Sequence, residues 1–141
     1  MPTPILKVRS LSRSQKEFGK KLLRKLSAYN QSKAGDVGWK SLSLEMVDPK
    51  GKFVGGLTGS TYLKWLYVDL LFVEAKYRGQ GIGKRLLQEA EAWARKRGCR
   101  GINLNTITFQ APGFYRKMGY RVFGKLAYPQ GNTRYFFKKK L

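Results

Sequence analysis

Read from its N-terminus, the chain alternates between two hydrophobic periods. Ile5 to Arg9 alternates apolar and polar residues and is predicted to form a first strand. Ser12 or Ser14 then offers a cap for a helix to about Ser32. Phe18, Leu22, Leu26 and Tyr29 recur at helical spacing in it, with Lys16, Lys20 and Arg24 on the other face, the pattern of an amphipathic core helix. Trp39 to Val47 and Lys52 to Thr58 flank Asp48-Pro49-Lys50-Gly51 and read as a hairpin. Gly55-Gly56 in the second arm marks a bulge or a close backbone approach. Thr61 to Val73 is predicted to be one long strand entered through a turn near Gly59. Its second half is apolar enough for burial on both faces, which makes Asp69 conspicuous. Ile82 to Arg97 is helical, with Ile82, Leu86, Ala90 and Ala94 as its buried row, Leu87 and Trp93 beside them and Gly98 as its end. Cys99 to Thr106 reads as a strand and Gln110 to Met118 as a short helix with Pro112 in its first turn. Tyr120 to Leu126 and Arg134 to Lys138 read as a closing strand pair. The order β, α, ββ(β), α, β, α, ββ implies an α/β (α+β) chain with a mixed sheet and helices on both sides.

Composition narrows what such a fold could do. The 141 residues suit a single domain, 1–141, with a real core; there is no internal repeat or linker. No apolar run reaches membrane-spanning length, no signal-peptide pattern opens the chain, and Cys99 has no partner for a disulfide; together these point to the cytoplasm and to no membrane partner. With no histidine, His-based triads and His-containing zinc sites are excluded and no metal is expected, so proton transfer falls to carboxylate, tyrosine, lysine, cysteine or water. Cys99 has no adjacent base to activate it. The net charge of +21 is uneven, since no acidic residue follows Glu91. A basic surface attracts a polyanionic ligand or an acidic partner; nucleic acid stays open but is not favoured, because no recognised nucleic-acid motif is present.

The candidate chemistry lies where the apolar run ends at Val73. A short polar turn leads into Gly79, Gly81 and Gly83, and a helix begins at once. Glycines let the backbone approach an anion, and the first turn of a helix offers unpaired N–H groups in a favourable dipole. A P-loop would need glycine at Arg78 and Ser or Thr at Arg85, and a Rossmann loop would need glycine at Lys84. Arg78-Gly79-Gln80-Gly81-Ile82-Gly83 resembles instead the [QR]xxGx[GA] loop of the GNAT N-acetyltransferase superfamily. The upstream LFVEAKYRG resembles that family's LxVxPxxRG, with Ala75 where proline is usual.

The resemblance covers nearly the whole chain and is sharpest from Trp65 to Leu141, where the tail is similar to a small bacterial subgroup. It implies a mixed, mostly antiparallel central sheet of six to seven strands flanked by helices. It also implies an acetyl-CoA-dependent N-acetyltransferase that moves the acetyl group directly to a primary amine, with acetyl-CoA as co-substrate. The backbone from Arg78 to Lys84 (Gly79, Gln80, Gly81, Ile82, Gly83) would hold the pyrophosphate. Leu71, Phe72 and Val73 would pair with the pantetheine arm. Tyr115, in Phe114-Tyr115-Arg116-Lys117-Met118-Gly119-Tyr120, would protonate the leaving thiolate; Ala111 also matches, whereas Thr108 stands where many members have asparagine. Asn105 and Gln110 are polar residues expected beside the coenzyme. Asp69, four residues before Val73 and on the same face by strand alternation, resembles a carboxylate base, with Glu45 and Glu74 as alternatives. Tyr29, Trp39, Tyr62 and Tyr67 would border the acceptor, a small-molecule amine or else a protein or aminoacyl-tRNA; the alternative from another class is a non-catalytic module that senses coenzyme A or associates with RNA. A homodimer, common in the family, is left open.

Overall fold

The structure is a computed structural model that describes residues 3–141. They divide into two units, Met1–Asp36 and Val37–Leu141. In the first unit, helix α1 spans Gln15–Ala34. Ser14 stands at its N-cap, but with φ 58° and no side-chain capping bond; Gln15 Nε2 donates to Leu11 O at 2.8 Å instead. The expected strand over Ile5–Arg9 does not form. Its side chains are exposed and its backbone makes no ladder, and alternation without a pairing edge gives no strand. No residue of α1 is buried, so the expected core-helix stripe is exposed, from 43% at Phe18 to 60% at Tyr29.

The second unit is built on a six-stranded sheet. Its strands are β1 (Lys40–Val47), β2 (Phe53–Tyr62), β3 (Trp65–Val73), β4 (Gly101–Ile107), β5 (Arg121–Ala127) and β6 (Thr133–Lys140), in spatial order β1-β2-β3-β4-β6-β5. All neighbours are antiparallel except β3 and β4. The β1–β2 turn works as its residues suggest: Asp48 Oδ1 accepts the N–H groups of Lys50 and Lys52.

The long strand expected over Thr61–Val73 is in fact the end of β2, a two-residue turn and β3. Leu63 and Lys64 form that turn, both with positive φ, the geometry that matches the twist of a hairpin. Neither is a glycine, which is why the sequence hid the turn. Gly59 is a strand residue, glycine because a Cβ there would lie 2.6 Å from Tyr67 O. Gly55 answers to the same constraint, since its Cβ would lie 2.8 Å from Phe72 O.

Helices α2 (Ile82–Lys96) and α3 (Pro112–Lys117) pack on one face of this sheet. Leu42, Leu57, Leu66, Val68, Ile102, Leu104 and Phe137 point into that layer and meet Leu86, Leu87, Ala90 and Ala94 of α2. Tyr115 of α3 joins them, with its ring centroid 5.7 Å from that of Phe137. A buried polar lock ties both helices to β6. Lys139 Nζ donates to Glu91 Oε1 and to Met118 O, each at 3.0 Å, and Tyr120 donates to Glu91 at 2.9 Å. The sheet's other face carries no helix of this unit. That corrects the expectation that β3 is buried on both faces: Tyr67, Asp69, Leu70 and Phe72 are exposed. No described helix is long and apolar enough to cross a membrane.

Candidate active site

The site starts where two strands part. β3 and β4 pair only at Trp65–Gly101, Leu66–Ile102 and Tyr67–Asn103. Beyond Tyr67 the β3 backbone keeps its β2 partners, with Leu71, Phe72 and Val73 opposite Leu57, Gly56 and Gly55, but has no β4 partner among the described residues. An unpaired strand edge inside a sheet is a place for an extended ligand to add main-chain hydrogen bonds.

A register shift between Thr58 and Gly59 makes Asp69 a bulge residue on β3. Leu66 and Val68 face the core before it, Leu71 and Val73 after it. The expected shared face of Asp69 and Val73 is therefore corrected, because the bulge inserts one residue and breaks the alternation. Asp69 looks outward with Tyr67. Its Oδ1 accepts the Thr58 hydroxyl at 3.0 Å, and its second oxygen has no partner among the described residues. Beside it runs an open groove of about 310 Å³ lined by Ser43, Glu45, Phe53, Thr58, Leu70 and Phe72, among others.

Past Val73, a short 3₁₀ turn (Ala75–Tyr77) leads into the glycine loop. Arg78 Nε donates to Val73 O at 3.0 Å, and its guanidinium lies 5.7 Å from the Phe72 ring, so this side chain pins the loop to the strand end. Gly79 and Gly81 have φ of 77° and 78°. These turns leave the N–H groups from Gly79 to Lys84 without an acceptor among the described residues; the first bond into the helix is Arg85 N–H to Gly81 O at 3.0 Å. Gly83 differs: its φ is not positive, and an added Cβ would meet the Phe114 ring at 3.5 Å, an ordinary contact. The N-terminus of α2, the open edge of β3 and the bulge at Asp69 thus follow one another along one path.

Tyr115 stands over the sheet just beyond the point of parting. It packs on Phe137, which pairs with Leu104, the first β4 residue past the β3 contact. The residue is 9% exposed, and no hydrogen bond joins its hydroxyl to another described residue, yet the oxygen is not a buried orphan and so reaches the surface. Burial raises its pKa above that of an ordinary phenol, so the hydroxyl keeps its proton. Tyr120 is raised further, first by burial and then by the Glu91 carboxylate, which accepts its hydrogen bond. Burial also raises the Cys99 thiol, against the pull of Arg97.

The other expected residues are dispersed. Asn105 is on the outward face: its Nδ2 donates to Tyr67 Oη at 3.1 Å, and its Oδ1 accepts from Arg134, whose Nε donates to Tyr128 Oη at 3.1 Å. Gln110 is committed to its own turn, its Oε1 accepting the Thr106 hydroxyl and the Ile107 N–H, each at 2.9 Å. Thr108 is similarly tied to Thr133. Trp39 and Tyr62 sit at the Trp65 end of the β1–β2–β3 ladder, away from Val73. Glu74 holds the strand end, its N–H donating to Val54 O and its carbonyl accepting from Tyr77. Tyr29 belongs to the first unit, where the Lys33 ammonium lies 5.8 Å from its ring. Thr58 and Arg134 were not read as site residues; their roles come from cross-strand register, which no local signal carries.

Comparison with known proteins bears on this arrangement. A family model described as "Acetyltransferase (GNAT) family" matches residues 15–120. Blasticidin-S acetyltransferase of Streptomyces morookaense is 47% identical over 94 residues, covering 65% of this chain and 69% of that protein. Acetyltransferase Atu2258 of Agrobacterium fabrum is 41% identical over 101 residues, covering 72% and 74%. A crystal structure of an acetyltransferase from Bacillus cereus ATCC 14579 superposes with a TM-score of 0.82 at 36% identity, over 94% of this chain and 98% of that one.

Proposed function

The chain belongs to the acetyltransferase (GNAT) family, and from that premise we propose that it transfers an acetyl group from acetyl-CoA directly to a primary amine of a small molecule. The observation that carries this reading is the run of unpaired N–H groups from Gly79 to Lys84, set on a glycine turn and a helix N-terminus at the end of the open β3 edge. Such a cradle fits a pyrophosphate, and the edge over Leu71–Val73 fits the amide-bearing arm that leads from it to the thioester.

In the reaction the amine nitrogen attacks the thioester carbonyl, the N–C bond forms and the C–S bond breaks. The amine gives up one proton and the departing thiolate takes one. Backbone N–H groups near Phe72 and Val73 stabilise the oxygen as it gains charge. Asp69, fixed by Thr58 at one oxygen, holds the amine and takes its proton directly or through water. Tyr115, kept protonated by burial, supplies the proton to sulfur. No covalent enzyme intermediate is involved, in keeping with a buried Cys99 whose thiol is held protonated.

The groove beside Asp69 supports this choice of acceptor class. Glu45 in its lining gives it negative charge, with Asp69 beside it bound to the lining residue Thr58, and Phe53, Leu70 and Phe72 give it an apolar wall. On a chain of net charge +21, such a local acidic spot selects for an amine with an apolar body. Blasticidin S, for which the Streptomyces relative is named, belongs in the first test panel. Thiol release from acetyl-CoA is measured against aliphatic amines, blasticidin S, lysine peptides and aminoacyl-tRNA. Release with a small amine, with the acetylated amine seen by mass spectrometry, supports the reading. Release only with peptide or tRNA overturns the acceptor class, and no calorimetric binding of acetyl-CoA at millimolar concentration overturns the reading as a whole.

A further inference from the structure

The outward face of β6 and β5 lies beyond the residues assigned above to acetyl transfer, and its composition is distinctive. Phe137 and Val122 face the helices, so Arg134, Phe136, Lys138 and Lys140 face the other way. Arg121 pairs with Lys138 on β5. A bulge between Val122 and Gly124 pushes Phe123 out, and the side chain is 54% exposed. Its ring centroid lies 6.3 Å from that of Phe136, and the Lys138 ammonium sits 5.5 Å from it. Asn103 and Asn105 continue the same face on β4, opposite Lys138 and Phe136. No carboxylate interrupts it, because the chain has none after Glu91.

We infer that this sheet face is a binding surface for single-stranded nucleic acid, RNA in the first instance. Two paired rings offer a platform on which bases stack, and stacking does not depend on base identity. Arg121, Lys138 and Lys140 flank the rings and neutralise the backbone. A second copy of the chain fits poorly, because pairing this face with itself would press like charges together. An anionic membrane would answer the charge but not the paired rings set in a strand ladder. The inference is independent of the acetyl-transfer reading and is tested without acetyl-CoA.

The assay is fluorescence anisotropy of a 5′-labelled oligouridine with the full chain, titrated with salt. Phe123→Ala is expected to weaken binding about tenfold, and Phe123→Trp to restore it. Arg121→Gln with Lys138→Gln is expected to flatten the slope of log K against log salt by about 1.4. Lys50→Gln with Lys52→Gln removes the same charge from the distant β1–β2 turn and should leave affinity within about twofold. Circular dichroism checks that each variant is folded. The inference fails if Phe123→Ala binds like the parent, or if the Lys50/Lys52 variant loses as much as the Arg121/Lys138 variant. It also fails if duplex RNA binds as tightly as the single strand. A result in which only phosphatidylserine vesicles, or only self-association, respond to Phe123→Ala overturns it as well.

Discussion

Replacing each glycine of the loop in turn by alanine separates backbone geometry from space. At Gly79 and Gly81 an added Cβ would touch nothing within 4 Å, but φ is 77° and 78°. The penalty is then purely conformational, about 1–2 kcal/mol for an L-residue held left-handed. It can surface in either of two places. If the free protein keeps the turn, urea denaturation shows the loss as stability. If the free loop relaxes, its N–H groups disperse and the same energy is charged on binding, a roughly 5- to 30-fold rise in the Kd for acetyl-CoA. The two losses should sum to the conformational penalty at each position. Gly83 supplies the contrast. Its backbone is helical and the new methyl would rest on the Phe114 ring at 3.5 Å. Gly83→Ala should therefore leave the Kd unchanged and stabilise α2 by up to about 1 kcal/mol from helix propensity. Denaturant titration and calorimetry on the three variants read all of this. If Gly83→Ala is as harmful as Gly81→Ala, or if Gly81→Ala loses neither stability nor affinity, the loop does not act through its left-handed turns.

Three further outcomes follow from the same geometry. Tyr115→Phe should lower kcat about 10²- to 10⁴-fold with the Kd for acetyl-CoA unchanged, since the hydroxyl bonds to no described residue and packing is retained; an unchanged kcat would remove it from the reaction. Asp69→Asn should raise KM for the amine more than Thr58→Val, which only frees the carboxylate to turn; equal effects would mean that Thr58, not charge, sets the site. Alkaline denaturation should report the buried phenols. Both Tyr115 and Tyr120 hold their protons more tightly when folded, so stability is full below pH ~10 and falls as pH rises through and beyond the unfolded phenol pKa. Tyr120→Phe should lose about 1–3 kcal/mol at neutral pH with its bond to Glu91, but show a shallower alkaline decline; an identical decline would mean that Tyr120 does not titrate in that window.

What the sequence disclosed, and what it withheld, divides along a physical line. Features fixed by neighbouring residues were legible: the Asp48 turn, the strand-to-glycine-to-helix sequence, the amphipathic row of α2 and the pairing of β5 with β6. Features fixed by partners distant in the chain were not. The turn at Leu63-Lys64 is imposed by the β2–β3 ladder on residues with no turn signature, and the glycine nearby owes its identity to Tyr67 O instead. Glu91 reads as a surface residue of an amphipathic helix, yet it is 4% exposed because Tyr120 and Lys139 arrive from the far end of the chain to satisfy it.

The bulge at Asp69 shows why that division matters for chemistry. Strict alternation would turn Asp69 and Val73 to one face, as the sequence suggested, and would place Leu71 with the outward residues. One extra residue reverses the second half of β3. Leu71 and Val73 now anchor the strand end in the core, which fixes the backbone edge that faces the gap. Leu70 and Phe72 turn outward to form a wall of the open groove, with Asp69 at the point of reversal and Thr58 holding it from the neighbouring strand. On the proposed reading, a rigid edge for one substrate and a lined groove for the other therefore come from a single inserted residue. Deleting Leu70 restores the regular ladder with Leu71 and Val73 still inward and Phe72 outward, but it removes one wall of the groove and the backbone reversal that sets Asp69, so turnover should fall sharply. Binding of the pyrophosphate end of the coenzyme, which depends on the loop beyond Val73, should survive in part. Calorimetry with coenzyme A alongside the thiol-release assay distinguishes the two. If the deletion variant turns over normally, the bulge is a strand irregularity and not the element that joins the two binding sites.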